Sequence, residues 1–246
     1  MKIFRPEQLT TAPACVLLDL DNTLYPYAPS HANGMKAARH LAQDALGIST
    51  GDFDRCFADA RTEIKARLHG TGAAHHRLLY FQRTLERAGL ATRPMEARQL
   101  EQAYWSAYID SIELFPGVID FLDDLRLFDV PVVIVTDLTA DIQFRKLIAL
   151  DLHRHLDWLV SSEESGHEKP HPASFELALA KLGGVEGPVW MIGDNHDCDL
   201  AGAKAAVNAM TFQIMHEGVT CPASSDVMDA KFTSFRELRK FFASLV

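Results

Sequence analysis

Two aspartates one residue apart, Asp19 and Asp21, follow the apolar run Cys15-Val16-Leu17-Leu18, with Asn22, Thr23 and Pro26 directly behind them. Successive side chains of an extended segment point to opposite faces, so a carboxylate at the end of a buried strand carries a desolvation cost that calls for a reason. Asp19 in that position is a candidate nucleophile. Polar groups stand in comparable places further on: Thr136 and Asp137 after Val132-Val133-Ile134-Val135, and Asp194 after Met191-Ile192-Gly193. Lys169 sits in a loop before Pro170, and Asp197 and Asp199 extend the acidic group around Asp194.

The elements that must position these residues follow from periodicity and breakers. Residues 1–13 read as a short leader, followed by a strand from Cys15 to Leu20 and a turn-rich segment from Asp21 to Tyr27. From 28 to 111 the spacing is helical with no β-branched run. Helices are expected over Met35–Leu46, from the caps Ser49 and Asp52 through Leu68, over Ala74–Ala88, and from Pro94 onward. After Phe115-Pro116-Gly117 strands and helices alternate. Strands are expected at Pro131–Thr136, Trp158–Val160, Pro188–Ile192 and Met210–Met215. The helices between and after them fall over Val118–Phe128, Ala140–Leu150, Pro172–Leu182, Leu200–Ala206 and Ser234–Leu245. Strands apolar along their whole length imply a parallel sheet covered on both faces. The expected fold class is α/β: a parallel-sheet, Rossmann-like core formed by 1–26 and 113–246, with an all-helical cap, 27–112, inserted after the first strand.

Ligands of open parallel sheets bind outside the carboxyl ends of the strands. That rule gathers Asp19, Asp21, Thr136, Lys169, Asp194 and Asp199 on one rim although they are far apart in sequence. Two carboxylates about 4 Å apart repel by roughly 4 kcal/mol at an effective dielectric near 20. Such a group needs a shared cation or a shared proton. An all-oxygen set suits Mg²⁺ better than zinc or copper. Lys169 and the Thr136 hydroxyl add donors for anionic oxygens, and the combination suits phosphoryl transfer, where positioning and charge neutralisation carry catalysis.

Composition excludes other classes. The net charge of -9 argues against a nucleic-acid polymer as partner, and the 48% apolar content is that of a globular protein. The four cysteines lack CxxC spacing, which fits reduced thiols and a cytoplasmic setting. No apolar run approaches the roughly 20 residues of a membrane span. The eleven histidines have no partners at zinc-site spacing.

The segments Asp19-Leu20-Asp21-Asn22-Thr23, Thr136, Lys169-Pro170 and Gly193-Asp194 with Asp199 resemble, in order, the four motifs of the haloacid dehalogenase superfamily. Phe115-Pro116-Gly117-Val118 and Ser162-Glu163-Glu164-Ser165-Gly166 are similar to its members with helical caps. The resemblance implies that Asp19 forms an aspartyl-phosphate and that Asp21 acts as acid and then base. It implies that Thr136 and Lys169, with Asn22 and Asp137, hold the phosphate. Mg²⁺ would be held by Asp19, the Asp21 main-chain carbonyl and Asp194, with Asp199 in support and Asp197 as a competitor for that place. Asp137 stands where many relatives carry Asn, and Cys198 replaces an Asn common before the last acid.

The expected activity is Mg²⁺-dependent hydrolysis of a small phosphorylated metabolite by a monomer or homodimer. The segment Asn22–Pro26 looks like the pyrimidine 5′-nucleotidases. Alternatives are a metal-independent 2-haloacid dehalogenase, which Asp21 and the acids near 194–199 speak against, a phosphosugar mutase, and a binding protein on this scaffold. Tyr104, Trp105 and Tyr108 read as a packing face of the cap or as a stacking surface for a substrate ring. Arg61, Lys65 and Arg67 read as a solvated helix face.

Overall fold

In the computed structural model, residues 1–222 and 225–246 are described. The chain runs β1 (Lys2–Ile3), β2 (Cys15–Leu18), then four helices, α1 (Tyr27–Leu46), α2 (Thr50–Arg67), α3 (Arg77–Arg87) and α4 (Pro94–Ile109). It continues through α5 (Val118–Leu127), β3 (Val132–Thr136), α6 (Ala140–Ala149), β4 (Trp158–Ser161), α7 (Ser162–Ser165), α8 (Pro172–Lys181) and β5 (Val189–Gly193). After a π-helical turn at His196–Ala201 come α9 (Gly202–Val207), β6 (Met210–Ile214), β7 (Ala230–Phe232) and α10 (Phe235–Phe242). One sheet has the order β1-β7-β6-β5-β2-β3-β4 and is parallel except for β1.

Burial on both faces explains why the strands read as continuous apolar runs. Val16, Leu18, Val132, Ile134, Trp190 and Ile192 face one core, shared with Phe121 of α5 and Phe235 and Phe242 of α10. Cys15, Leu17, Val133, Val135, Val189 and Met191 face the other, closed by Phe175 and Ala178 of α8 and Ala203 of α9. Such alternation is what a central strand between two helical layers requires.

The leader differs from expectation: β1 pairs antiparallel with β7 at the sheet edge. β7 itself was not expected, and β2 ends two residues early, at Leu18. α1 begins at Tyr27, eight residues before Met35, because Pro29 falls in the first turn, where its missing N–H costs nothing. Gly34 inside α1 is a contact, not a break. A Cβ there would lie 2.7 Å from the Tyr104 ring and 2.9 Å from the Tyr104 carbonyl oxygen, so α1 and α4 approach backbone to side chain. No helix among the described residues is long and apolar enough to cross a membrane.

Candidate active site

Parallel register brings the strand ends together. Leu18 pairs with Ile134 on one side and Ile192 on the other, and the Asp19 N–H donates to the Ile192 carbonyl at 3.0 Å. The residues just past β2, β3 and β5 therefore share one edge. Asp19, Asp194 and Asp199 place carboxylate oxygens within 4.8 Å of one another. Lys169 Nζ enters between two of them, donating to Asp19 at 2.7 Å, Asp199 at 2.6 Å and the Val135 carbonyl at 2.9 Å. Thr23 Oγ1 donates to the second Asp19 oxygen at 2.7 Å. Gly193 makes the approach of Asp199 feasible, since a Cβ would lie 2.4 Å from its Oδ2.

The two later acids differ in position. Asp199 is buried and accepts the Asn195 N–H at 3.0 Å, whereas the Asp197 carboxylate is solvent-exposed against His196. Asn22 donates one amide N–H to Asp194 at 2.7 Å and its Oδ1 accepts from the Tyr27 N–H, which leaves its second amide N–H uncommitted. Its left-handed φ of 67° is one that Asn tolerates. The Asp137 carboxylate accepts the Lys169 N–H at 3.0 Å. When ionised it has no donor to offer a phosphate. Thr136 Oγ1 accepts from Gln143 at 2.6 Å and donates over a long 3.4 Å to the Asp137 carbonyl oxygen, a contact that a closer acceptor can replace.

Asp21 has surroundings that the sequence did not suggest. Lys146 Nζ bonds both of its carboxylate oxygens, at 2.6 and 2.8 Å, and Gln143 donates to it at 3.0 Å. Tyr25 donates to the same carboxylate and is itself linked to the Tyr108 hydroxyl at 2.8 Å. The Asp21 carboxylate is thus outside the acidic cluster that could hold a metal. Burial alone would raise its pKa, but the Lys146 charge and the hydrogen bonds from Lys146, Tyr25 and Gln143 outweigh that and hold it below the ordinary value.

Lys146→Met removes the cation and lets burial dominate. The pH at which Asp21 gains a proton then rises, and the acidic limb of kcat/KM that it controls should move up by at least about one unit. An unmoved limb would show that Lys146 does not set the Asp21 charge.

Burial, opposed by Lys169 and reinforced by the Asp199 charge, pushes Asp19 up to about 6. Burial and the Asp19 charge push Asp194 up to about 6 against the Asn22 hydrogen bond. Carboxyls raised in this way contribute stability that is fully present below their ordinary pKa near 4 and lost as pH rises through about 6. A divalent cation bound by the ionised acids would reverse the loss. Mg²⁺ should therefore raise Tm more at about pH 7.5 than at about pH 5; equal shifts would contradict a carboxylate-held cation. The three acids offer hard oxygen donors and one lysine that leaves them net negative, which fits Mg²⁺.

Over this edge lies a cavity of about 860 Å³ whose floor is Asp19, Asp194, Asp199 and Lys169. Its opposite wall comes from the helical insertion, including Arg61, Lys65, Arg77 and Trp105. The insertion reaches the core through Gly70, whose carbonyl accepts the Glu168 N–H at 3.0 Å, and through His75, paired with Glu168 at 3.0 Å. Arg61 and Arg67 are exposed, as a solvated face requires, and Lys65 is half-buried; Arg67 pairs with Glu63, whereas Arg61 and Lys65 also border the cavity. Tyr104, Trp105 and Tyr108 are buried packing residues, and Trp105 also lines the cavity.

Residues 13–206 match the family model described as haloacid dehalogenase-like hydrolase. The chain is 43% identical over 195 residues to a ribulose-1,5-bisphosphate 5-phosphatase of Halopiger xanaduensis, covering 77% of this chain and 80% of that one. It is 31% identical over 191 residues to a glyceraldehyde 3-phosphate phosphatase of Methanopyrus kandleri, covering 78% and 79%. Among solved structures, a 2-haloacid dehalogenase from Pseudomonas syringae pv. Tomato shares the fold with a TM-score of 0.75 at 21% identity, over 94% of this chain and 99% of that one.

Proposed function

The chain belongs to the haloacid dehalogenase-like hydrolase family, and on that premise we propose that it is a Mg²⁺-dependent phosphatase of a small phosphosugar, working through an aspartyl-phosphate on Asp19. The observation that carries this reading is the Asp19–Lys169–Asp199 array beside Asp194 at the floor of the cavity. The two similar relatives named for sugar-phosphate substrates support the substrate class. A pyrimidine nucleotide has only the Asn22–Pro26 resemblance behind it. The likeness to a dehalogenase is one of fold.

Asp19 and Asp194, with Asp199 in support, would hold Mg²⁺, which would supply positive charge beside the phosphoryl oxygens and so offset the repulsion between them and the acids. Lys169, whose ammonium is kept protonated by Asp19, Asp199 and Asp137 although burial opposes it, adds a second fixed cation. Thr136 offers its hydroxyl proton to a phosphoryl oxygen. An Asp19 oxygen bonds phosphorus as the ester P–O bond breaks, and the leaving oxygen takes a proton from Asp21. Water then attacks the aspartyl-phosphate, giving its proton to the Asp21 carboxylate and releasing phosphate and free Asp19. Lys146 holds Asp21 ionised, which suits the second step. The first step needs Asp21 protonated, a state that loosening the Lys146 contact favours.

The test is a panel of phosphate esters assayed with Mg²⁺ and with chelator. Release from small sugar phosphates that stops in chelator is expected. Chelator-resistant activity on a chloroacid, or turnover with the phosphate retained in the product, would replace this reading.

A further inference from the structure

Of the nine arginines between residues 27 and 112, seven pair with a carboxylate. The two that do not, among the described residues, are Arg61 and Arg77, and both line the cavity over Asp19. Lys65, one turn after Arg61 on α2, lines it too and likewise has no carboxylate partner among the described residues. In a chain with a net charge of -9, three cations left without counter-ions on one wall are not a shortage of acids. The two acids close by are engaged elsewhere: Glu168 with His75, and Asp137 with the Lys169 N–H.

Arg77 is the clearest of the three. It is only 6% exposed, and burying a guanidinium without a partner is costly. Of its five N–H donors, one bonds the His75 carbonyl at 2.8 Å and one the Tyr27 hydroxyl at 2.9 Å, while Nε has no acceptor. The rings of Tyr80, Tyr104 and Trp105 surround it at 5.2, 5.4 and 5.5 Å from their centres, which steadies the cation without neutralising it. Trp105 Nε1, on the same wall, also lacks an acceptor. Burial, with the charges of Arg61 and Arg77, holds the Lys65 ammonium below its ordinary value against the opposing charges of Glu168 and Asp137.

We infer that Arg61, Lys65 and Arg77 form a subsite for a second phosphate group, so that the substrate is a small sugar bisphosphate held at both ends. This rests on the phosphatase reading above and assigns the other end of the molecule. The cavity, at about 860 Å³, lies within the usual range for a small-ligand site. Its floor receives the phosphoryl group that is cleaved, and its wall the one that is kept. Three cations match a phosphate dianion better than a single carboxylate charge, and arginine forks suit phosphate oxygens in pairs.

The full chain with Mg²⁺ is assayed on ribulose 1,5-bisphosphate, ribulose 5-phosphate and 2-phosphoglycolate. The ratio of kcat/KM for the bisphosphate to that for the monophosphate should exceed roughly tenfold. Arg61→Gln and Lys65→Gln, at exposed and half-buried positions that tolerate the change in folding, should each lower that ratio by roughly tenfold, mainly through KM. Arg77→Lys, which keeps the charge and loses the fork, should lower it as well. A wild-type ratio near one, a ratio unchanged in Arg61→Gln, or 2-phosphoglycolate preferred to the bisphosphate would overturn the subsite while leaving a phosphatase. No release from any of the three would overturn the phosphatase reading itself and the subsite with it.

Discussion

Asp19→Asn should leave a folded protein whose phosphate release falls by at least about 10⁴-fold, as expected when a nucleophile is lost. The change is nearly isosteric, so the Thr23 hydroxyl and Lys169 ammonium keep neighbours of the right size, and Lys169 retains Asp199 at 2.6 Å. It also removes one of three acids crowded within 4.8 Å. With Asp19 raised to about 6, the metal-free protein loses an unfavourable charge at neutral pH, so Tm without Mg²⁺ should hold or rise. Inactivity together with preserved Tm separates a chemical role from a structural one.

Asp21→Asn carries the second large effect. Removing a group that serves as acid and then base should cost about 10²–10⁴-fold in turnover of an alkyl phosphate. An aryl phosphate, whose leaving group needs little protonation, should lose less in the first step and stall in the second. Stopped-flow release of the aryl alcohol should then show a burst followed by slow turnover. Loss of the same size for both ester types, with no burst, would assign Asp21 a structural part. Lys146 is buried and keeps only an amide oxygen to bond, so some loss of Tm accompanies this variant.

How much of this was legible in the sequence depended on whether the residues concerned sit on the sheet or over it. Asp19, Thr136 and Asp194 are legible because each ends or follows an apolar run whose two-sided burial fixes where its carboxyl end lies, and Lys169 because it stands in the loop after another strand of the same sheet. Asp199 was placed by spacing, and Gly193 shows why: only a residue without Cβ lets that acid fold back. The two- and three-residue strands β1 and β7 gave too short a pattern to read.

Lys146 and Gln143 were missed because a helix period does not announce that a polar residue lies inside. They share a face of α6 with Ile142 and Leu147, and a lysine on that apolar stripe was the available signal. Arg61 and Lys65 read as a solvated face, and Arg61 is exposed; only the fold of the insertion over the sheet shows that both also border the cavity. Asn22 and Asp137, expected at the phosphate, also bond Asp194 and the Lys169 N–H, contacts that their spacing does not announce. Which partner a short polar side chain selects is decided by packing that periodicity does not encode.

The covalent step on Asp19 is tested most directly by trapping it. Asp21→Asn protein is mixed with a phosphate ester and Mg²⁺, quenched in acid and digested, and the peptides are weighed. The expected result is one phosphoryl group on Asp19, labile to hydroxylamine as an acyl phosphate is. A phosphoryl group on another residue, or undiminished turnover by Asp19→Asn, would contradict it.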